Sequence, residues 1–415
     1  MRQPFPSFQQ LRVLDLTDRW GQFAAKLVTQ LGADVVVAEP PGGHELRRAW
    51  PLAVSPAGQP ISLYFWHFNA GKRSVALDLE TGEGRSAAAG LVAAADVVLA
   101  GADSYDRFSA TLPGGFGSTP VVALSAYGLD HRDDERADEL HVAARGGTAG
   151  LSGYGPEENS SPIIPPAEQA MHSAGLYGAI AALLAVRRGR TAELFDVSAQ
   201  AAAFQGTEQL FSCWVYRREV LHRRGGGYAT PFPTGRWQLV SSDGSYFYPL
   251  GLLPRTQREW TDLKDWMRRE GAIQDLDEPA YADLMELRGQ NPFVISAPGQ
   301  HAGEVISDFL RSIDAERAYR EGQAMKMGWG RVYQPHETLG EEQFVLRELF
   351  HRTAWPGTSE VYRTQSLPWI IQSASVPHAP DEVVYPPEIG QHTRDVLDAW
   401  AKPVSGTEPS ASTER

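Results

Sequence analysis

Polar, titratable side chains stand just ahead of an apolar helical segment between Pro162 and Arg190. Glu168 and His172 are four residues apart, so on a helix they share one face, and a carboxylate beside an imidazole is a pair that general acid–base catalysis uses. Met171 lies between them on a neighbouring face. A core helix with a solvated first turn, where the helix dipole favours an acid, explains the same pattern without chemistry. The residue types therefore permit a site here but do not require one.

Short apolar runs separated by helix-like segments recur through the first 125 residues. The runs cover residues 11–16, 35–38, 74–79, 96–99 and 120–125. This alternation is typical of a doubly wound α/β fold with a parallel sheet. The loop 39–43 follows the second strand at the carboxyl edge of that sheet, where such folds bind ligands. The sequence has neither a GxGxxG nor a GxxxxGK[ST] motif, so a phosphate-binding loop has no support.

The pattern of alternating apolar runs and helical segments ends at the glycine run 225–227. A hairpin-like segment at 237–250 and charged helical segments predict a smaller α+β domain at 225–330. A chain of 415 residues is long enough for two domains. We therefore assign 1–224 and 331–402 to the larger domain, and we expect the polar tail 403–415 to be disordered.

Composition excludes several classes of protein. The net charge is −13 and there is no basic block, which argues against general nucleic-acid binding. Cys213 is the single cysteine, so an intramolecular disulfide and a cysteine-based zinc site are excluded, and no metal site is expected. The N-terminal residues show no secretory signal and no apolar run approaches eighteen residues, so we expect a cytoplasmic protein without a membrane contact.

Several segments, taken in order, resemble the family III CoA-transferases of the CaiB/BaiF type. This family includes formyl-CoA, carnitine and benzylsuccinate CoA-transferases and the α-methylacyl-CoA racemases. The matching segments are Leu11–Leu16, Leu31-Gly-Ala-Asp-Val35, Glu39-Pro-Pro-Gly-Gly43, Asn69-Ala-Gly-Lys-Arg-Ser-Val-Ala-Leu-Asp-Leu79, Ala174-Gly-Leu-Tyr177, Phe195-Asp-Val-Ser198, Gly225–Gly227 and Ile389-Gly-Gln-His-Thr393. Their order and spacing, more than any single segment, carry the resemblance.

The resemblance implies a Rossmann-like large domain built from both chain ends, a small domain between them, and two subunits threaded through each other like linked rings. It also implies an aspartate nucleophile that attacks the acyl-CoA thioester and forms a mixed anhydride and then an enzyme-bound thioester. A glycine loop, here Gly225, Gly226 and Gly227, would shield the anhydride from water. CoA or acyl-CoA would be a substrate, with no covalently bound cofactor.

The family's nucleophile position, four residues before Gly175, holds Met171 in this chain. A thioether cannot form an acyl anhydride. Glu168 is a possible substitute, but it lies seven residues before Gly175. The racemase branch uses a histidine and an aspartate at positions that fall here on Asp138 and Met171, which makes racemisation by that mechanism improbable.

The resemblance also points to CoA contacts, and these are changed as well. Where many members have an Asn-Phe-Arg-Pro-Gly-like turn, this chain has Ala100–Ser104, with Asp103 as a charge that would repel phosphates. The candidate cations that remain for CoA are Lys72, Arg73, Arg47, Arg48, Arg107 and Arg136. Each of them also has an ordinary surface or ion-pair interpretation.

Three hypotheses follow. In the first, this chain is the non-catalytic partner in a heteromeric CoA-transferase, inactive alone, and a paralogue supplies the aspartate. In the second, it is an active homodimer that uses Glu168 or no covalent intermediate. In the third, it is a repurposed scaffold that acts on a carboxylate without CoA.

Overall fold

The computed structural model describes residue 8 and residues 10–55, 58–130, 137–155, 160–164, 166–223, 238–249, 251–282, 284–285, 296–354, 361–369 and 385–401. Its residues form two compact units. The first comprises 1–148, 164–208 and 342–415, and the second 149–163 and 209–341. From the sequence we expected boundaries at 224/225 and 330/331, which differ from the limits of these two units. The first unit contains residues from both chain ends, and residues 209–223 belong to the second unit.

The first unit contains a six-stranded parallel sheet. In chain order its strands and helices are β1 (Arg12–Leu16), α1 (Gln22–Gln30), β2 (Asp34–Glu39), β3 (Leu52–Val54), β4 (Pro60–Ser62), α2 (Leu63–Asn69), β5 (Arg73–Ala76), α3 (Gly82–Ala94), β6 (Val97–Gly101), α4 (Ala102–Thr111), β7 (Val121–Ser125), α5 (Glu139–Arg145), α6 (Gln169–Arg188), β8 (Leu194–Ser198) and α7 (Ala199–Gln205). The short β3 and β4 pair with each other outside the main sheet.

The strand order of this sheet is β5-β2-β1-β6-β7-β8. The central strands are apolar along both faces because helices cover both sides; β6 and β7 are buried at every position. The order reverses direction between β1 and β6, which pair in parallel with Val13 opposite Val97. A crevice at the carboxyl ends of such a strand pair is where doubly wound folds bind ligands. The predicted α/β fold with a parallel sheet is thus confirmed.

Helix α6 packs closely against α1 because two of its residues have no side chain. A Cβ atom on Gly175 would lie 2.6 Å from Cβ of Phe23 and 2.9 Å from the backbone nitrogen of Ala24. A Cβ atom on Gly178 would lie 2.5 Å from Leu124 Cδ2. The glycines in this part of the chain therefore have a packing role, and they hold the start of α6 against α1.

The second unit has a three-stranded antiparallel sheet covered by helices. Its elements are α8 (Glu208–Arg217), β9 (Leu239–Val240), β10 (Tyr246–Pro249), α9 (Gln257–Arg269), α10 (Ala297–Ser312), α11 (Ala315–Ala324) and β11 (Trp329–Val332). The predicted hairpin is present, with Gly244 in the left-handed region at φ 76°. The helical pattern of residues 199–219 predicts one continuous helix, but the structure has two, α7 and α8, because the chain turns at Gly206 and Thr207.

The remaining elements return to the first unit. They are α12 (Glu342–Leu346), β12 (Phe350–Ala354), β13 (Val361–Gln365) and α13 (Thr393–Trp400). The tail 403–415 lies outside the described residues. Among the described helices, α6 alone is long and apolar enough to cross a membrane, but half of the relevant window is buried inside the protein, as in a core helix.

Candidate active site

Met171, the residue that the resemblance assigns to the family's nucleophile position, lies at the start of α6 and is buried, with only 1% of its surface exposed. The thioether belongs to the core cluster between the sheet and its helices. Glu139, the first residue of α5, reaches this point instead. Its Oε1 accepts the N–H of Ala170 at 2.6 Å, and its Oε2 accepts the N–H of Met171 at 3.2 Å. A carboxylate thus lies at this helix start, but it comes from another element.

Sequence analysis missed Glu139. An acid in the first turn of a short helix is explained by the helix dipole, and 32 residues separate Glu139 from Met171. Spacing along the chain contains no signal for that contact. The structure places the carboxylate where it satisfies two N–H groups that the first turn of α6 leaves unpaired.

The helical spacing predicts Glu168 in the first turn of α6, but the structure places it outside that turn. It is the residue before the helix, in the left-handed conformation at φ 55°, and its side chain does not cap the helix. Both carboxylate oxygens have partners. Tyr64 donates its hydroxyl to Oε2 at 2.8 Å, and the guanidinium of Arg19 forms an ion pair with Oε1.

His172 is half-buried and lies beside aromatic rings. Its ring centre is 4.5 Å from that of Phe23, and its Nδ1 donates to the carbonyl of Glu168 at 2.9 Å. Burial lowers the pKa of His172, and the charge of Lys26 lowers it further. Glu168 and His172 therefore meet through the Glu168 backbone carbonyl, and the Glu168 carboxylate is held by Arg19 and Tyr64.

A buried lysine, Lys26, lies close enough to His172 for its charge to lower the pKa of that histidine. Lys26 is only 6% exposed, and its Nζ lies 2.8 Å from Nε2 of His67 on α2. Burial and then the charge of Lys72 lower the pKa of Lys26 to about 7. At neutral pH this amine is therefore close to half protonated.

The resemblance assigns the racemase pair to Asp138 and Met171, and both side chains have structural contacts in this chain. Asp138 accepts the N–H of His141 at 3.1 Å and so caps α5, and it also pairs with the His141 ring. Met171, at the second position, is packed in the core.

Three of the cations considered for CoA have partners inside the first unit. Lys72 is buried, with its Nζ 2.7 Å from Asp15 Oδ2. Arg73 pairs with Asp34. Arg47 forms two bonds of 2.7 Å to the carboxylate of Glu39.

Of the other residues predicted to contact CoA or to shield the anhydride, two lie at the surface and the rest lie outside the described residues. Arg48 is exposed, and Arg107 pairs at the surface with Glu80. Arg136 and the glycines 225–227 lie outside the described residues. A contact of any of these six cations with CoA stays a prediction, as does the shielding role of the glycines.

A cavity of about 340 Å³ opens at the carboxyl ends of β1, β2 and β6. Its lining includes the acidic residues Asp18, Glu39, Glu45 and Asp103, and Arg107 is the one lysine or arginine among the described lining residues. Burial raises the pKa of Asp18 to about 7, and the nearby carboxylates of Glu45 and Asp103 add to this. A pocket with this charge opposes a polyphosphate anion.

Helix α4 begins directly after β6 at this cavity. Ser104 accepts the N–H of Gly101 at 3.0 Å and donates to the carbonyl of Leu16 at 2.6 Å. A Cβ on Gly101 would lie 2.7 Å from Oδ2 of Asp18. The short segment Ala100–Ser104 therefore closes tightly on β1. Among the described residues, no group of three or more potential metal ligands is present.

The sequence profile of CoA-transferase family III matches residues 8–393, and the chain belongs to this family. The BbsE subunit of succinyl-CoA:(R)-benzylsuccinate CoA-transferase from Thauera aromatica is 26% identical, with 94% of this chain and 93% of that protein covered. The succinyl-CoA–L-malate CoA-transferase beta subunit from Chloroflexus aurantiacus is 29% identical over 56% of this chain and 60% of its own length. A CaiB/BaiF family protein from Brucella suis has the same fold, with a TM-score of 0.73, 19% identity, and 96% of this chain and all of that one covered.

Proposed function

We propose that this chain is the non-catalytic subunit of a heteromeric CoA-transferase that moves CoA between carboxylic acids, and that a paralogous subunit supplies the aspartate nucleophile. The observation that carries the proposal is the burial of Met171 in the core, since the resemblance assigns this residue to the position of the family's nucleophile. A thioether cannot take an acyl group from a thioester, so this step needs another residue.

The acidic cavity supports the same proposal. Asp18, Glu45 and Asp103 line the crevice beside β1 and β6, and a CoA molecule would bring phosphates to the carboxyl edge of this sheet. Burying an anion beside several carboxylates is unfavourable. We propose that CoA binds chiefly to the partner subunit during the reaction, in the cytoplasm.

Two of the relatives are subunits by name, one of benzylsuccinate and one of malate CoA-transferase. The described surface of α6 adds a physical reason for assembly: Leu176, Ile180 and Leu184 are each about half exposed and recur along one face. We propose that this face is covered by the partner in an interlocked dimer.

Co-expression with paralogues encoded nearby is the direct test. The expected result is a stable complex that transfers CoA, with the chain described here inactive when purified alone. Enzyme-like transfer by this chain alone would refute the proposal. Hydroxylamine trapping with acyl-CoA, followed by peptide mapping, then locates any acylated carboxylate and so tests Glu168 directly.

A further inference from the structure

Two hydrogen-bond donors from different elements converge on the carboxylate of Glu168. Arg19 lies in the loop between β1 and α1, and Tyr64 lies on α2. The Arg19 guanidinium pairs with Oε1, the Tyr64 hydroxyl donates to Oε2, and the guanidinium is 5.4 Å from the centre of the Tyr64 ring. A stacked guanidinium and phenol are thus arranged to hold one carboxylate group.

The backbone that brings Glu168 to these donors is in an unfavourable conformation. Ala167 and Glu168 both lie in the left-handed region, at φ 62° and 55°, which residues with a Cβ rarely adopt. The helix does not depend on the Glu168 side chain, because Glu139 bonds to the N–H groups of Ala170 and Met171. Release of the Glu168 side chain would therefore not leave the start of α6 uncapped.

Arg19 is open to a solute, and Tyr64 is partly buried. Half of the Arg19 side chain is exposed, at 53%, whereas 19% of Glu168 is exposed. Two further acids lie near Tyr64, Glu139 and Asp18. The first is held by backbone N–H groups, and the pKa of the second is raised to about 7 by burial, so it is partly neutral at that pH.

We propose that Arg19 and Tyr64 form a binding site for a carboxylate of the substrate acid, and that Glu168 occupies this site in the free chain as an internal competitor. The proposal rests on the proposed function for the class of ligand, a carboxylic acid, and adds where that acid would bind in this subunit. An acid that binds displaces Glu168 from both donors and leaves its carboxylate to water.

The test is calorimetric titration of the full-length chain with succinate at pH 7 and low ionic strength. Glu168→Gln removes the competing charge, so we expect about fivefold tighter binding, the factor that corresponds to release of one exposed ion pair. Arg19→Gln is expected to weaken binding at least tenfold, and Tyr64→Phe severalfold, with circular dichroism unchanged.

Glu193→Gln is the matched control. Glu193 pairs with Arg188 at the other end of α6, so the same charge is removed from a comparable exposed ion pair. Its succinate affinity should equal that of the unmodified chain. Equal affinities for the unmodified chain and Glu168→Gln, undiminished binding by Arg19→Gln, or no binding by any variant would each overturn the proposal.

This experiment needs neither CoA nor a partner subunit. Succinate binding with the expected pattern, but no transfer in any co-expressed complex, would refute the proposed function and support the carboxylate site. The alternative outcome is a complex that transfers CoA while Arg19→Gln changes neither the binding of the acid nor its KM. That result would refute the carboxylate site and support the proposed function.

Discussion

Replacement of Lys26 by methionine should stabilise the protein at neutral pH. The folded state lowers the pKa of this amine from 10.5 to about 7, so between these values the unfolded chain binds a proton that the folded chain does not. Unfolding is therefore easier at the lower pH, and the free energy of unfolding rises with pH in this window. Each pKa unit corresponds to about 1.4 kcal/mol.

The magnitude follows from the two pKa values. At pH 7 the unfavourable contribution of Lys26 is about 4 kcal/mol, and at pH 9 it is about 2 kcal/mol. Methionine keeps an apolar side chain at this buried site, but it loses the hydrogen bond to His67, which costs about 1 kcal/mol. We expect Lys26→Met to be more stable by about 3 kcal/mol at pH 7 and about 1 kcal/mol at pH 9.

Urea unfolding followed by circular dichroism at both pH values measures these differences. Comparison of the variant with the unmodified chain cancels the contribution of the titrating groups that do not interact with Lys26. Lys26→Arg is the opposing variant, because a guanidinium stays charged throughout this range and should destabilise the protein at both pH values. A methionine variant that is less stable at pH 7, or a stability difference that is the same at pH 7 and pH 9, would refute the reasoning.

Three further substitutions test other parts of the structure. Lys72→Met leaves Asp15 buried without its cation and should lower the free energy of unfolding by about 3–5 kcal/mol, measured by urea unfolding. Met171→Asp places a carboxylate in the core beside Glu139; it should destabilise by about 3 kcal/mol and create no CoA transfer in a thioester exchange assay. Ile180→Glu should prevent assembly with a partner, seen by analytical ultracentrifugation, because it charges the exposed face of α6.

Each of these has a control and a contrary outcome. Unchanged stability of Lys72→Met with lost CoA binding by the complex would assign Lys72 to the ligand. Met171→Leu keeps the volume and should cost under about 1.5 kcal/mol; strong transfer by Met171→Asp alone would mean that the acidic cavity does accept CoA. Leu346→Glu alters an exposed apolar residue elsewhere and should leave assembly intact, and an intact complex with Ile180→Glu would remove α6 from the interface.

Local patterns predicted the elements well where burial and caps agree along the chain. The apolar run 120–125 falls within a residue of the observed bounds of β7, Val121–Ser125. The single helix expected from Ala199 to Glu219 failed because a turn at Gly206 interrupts a continuous apolar pattern. α7 buries three alanines in the first unit, whereas α8 has no buried residue and lies almost wholly in the second unit, a difference that periodicity along the chain does not contain.

The candidate site shows the same division between local and distant information. The sequence by itself determined the parallel sheet, the methionine at position 171 and the family, since these depend on residue types and their order. Only the tertiary structure decided that Glu139 bonds to the start of α6, that Lys72 lies inside an ion pair, and that Arg19 and Tyr64 hold Glu168. The carboxylate of Glu168 and the hydroxyl of Tyr64 are 104 residues apart in the chain, and only the packing of α6 and α2 around one sheet brings them together.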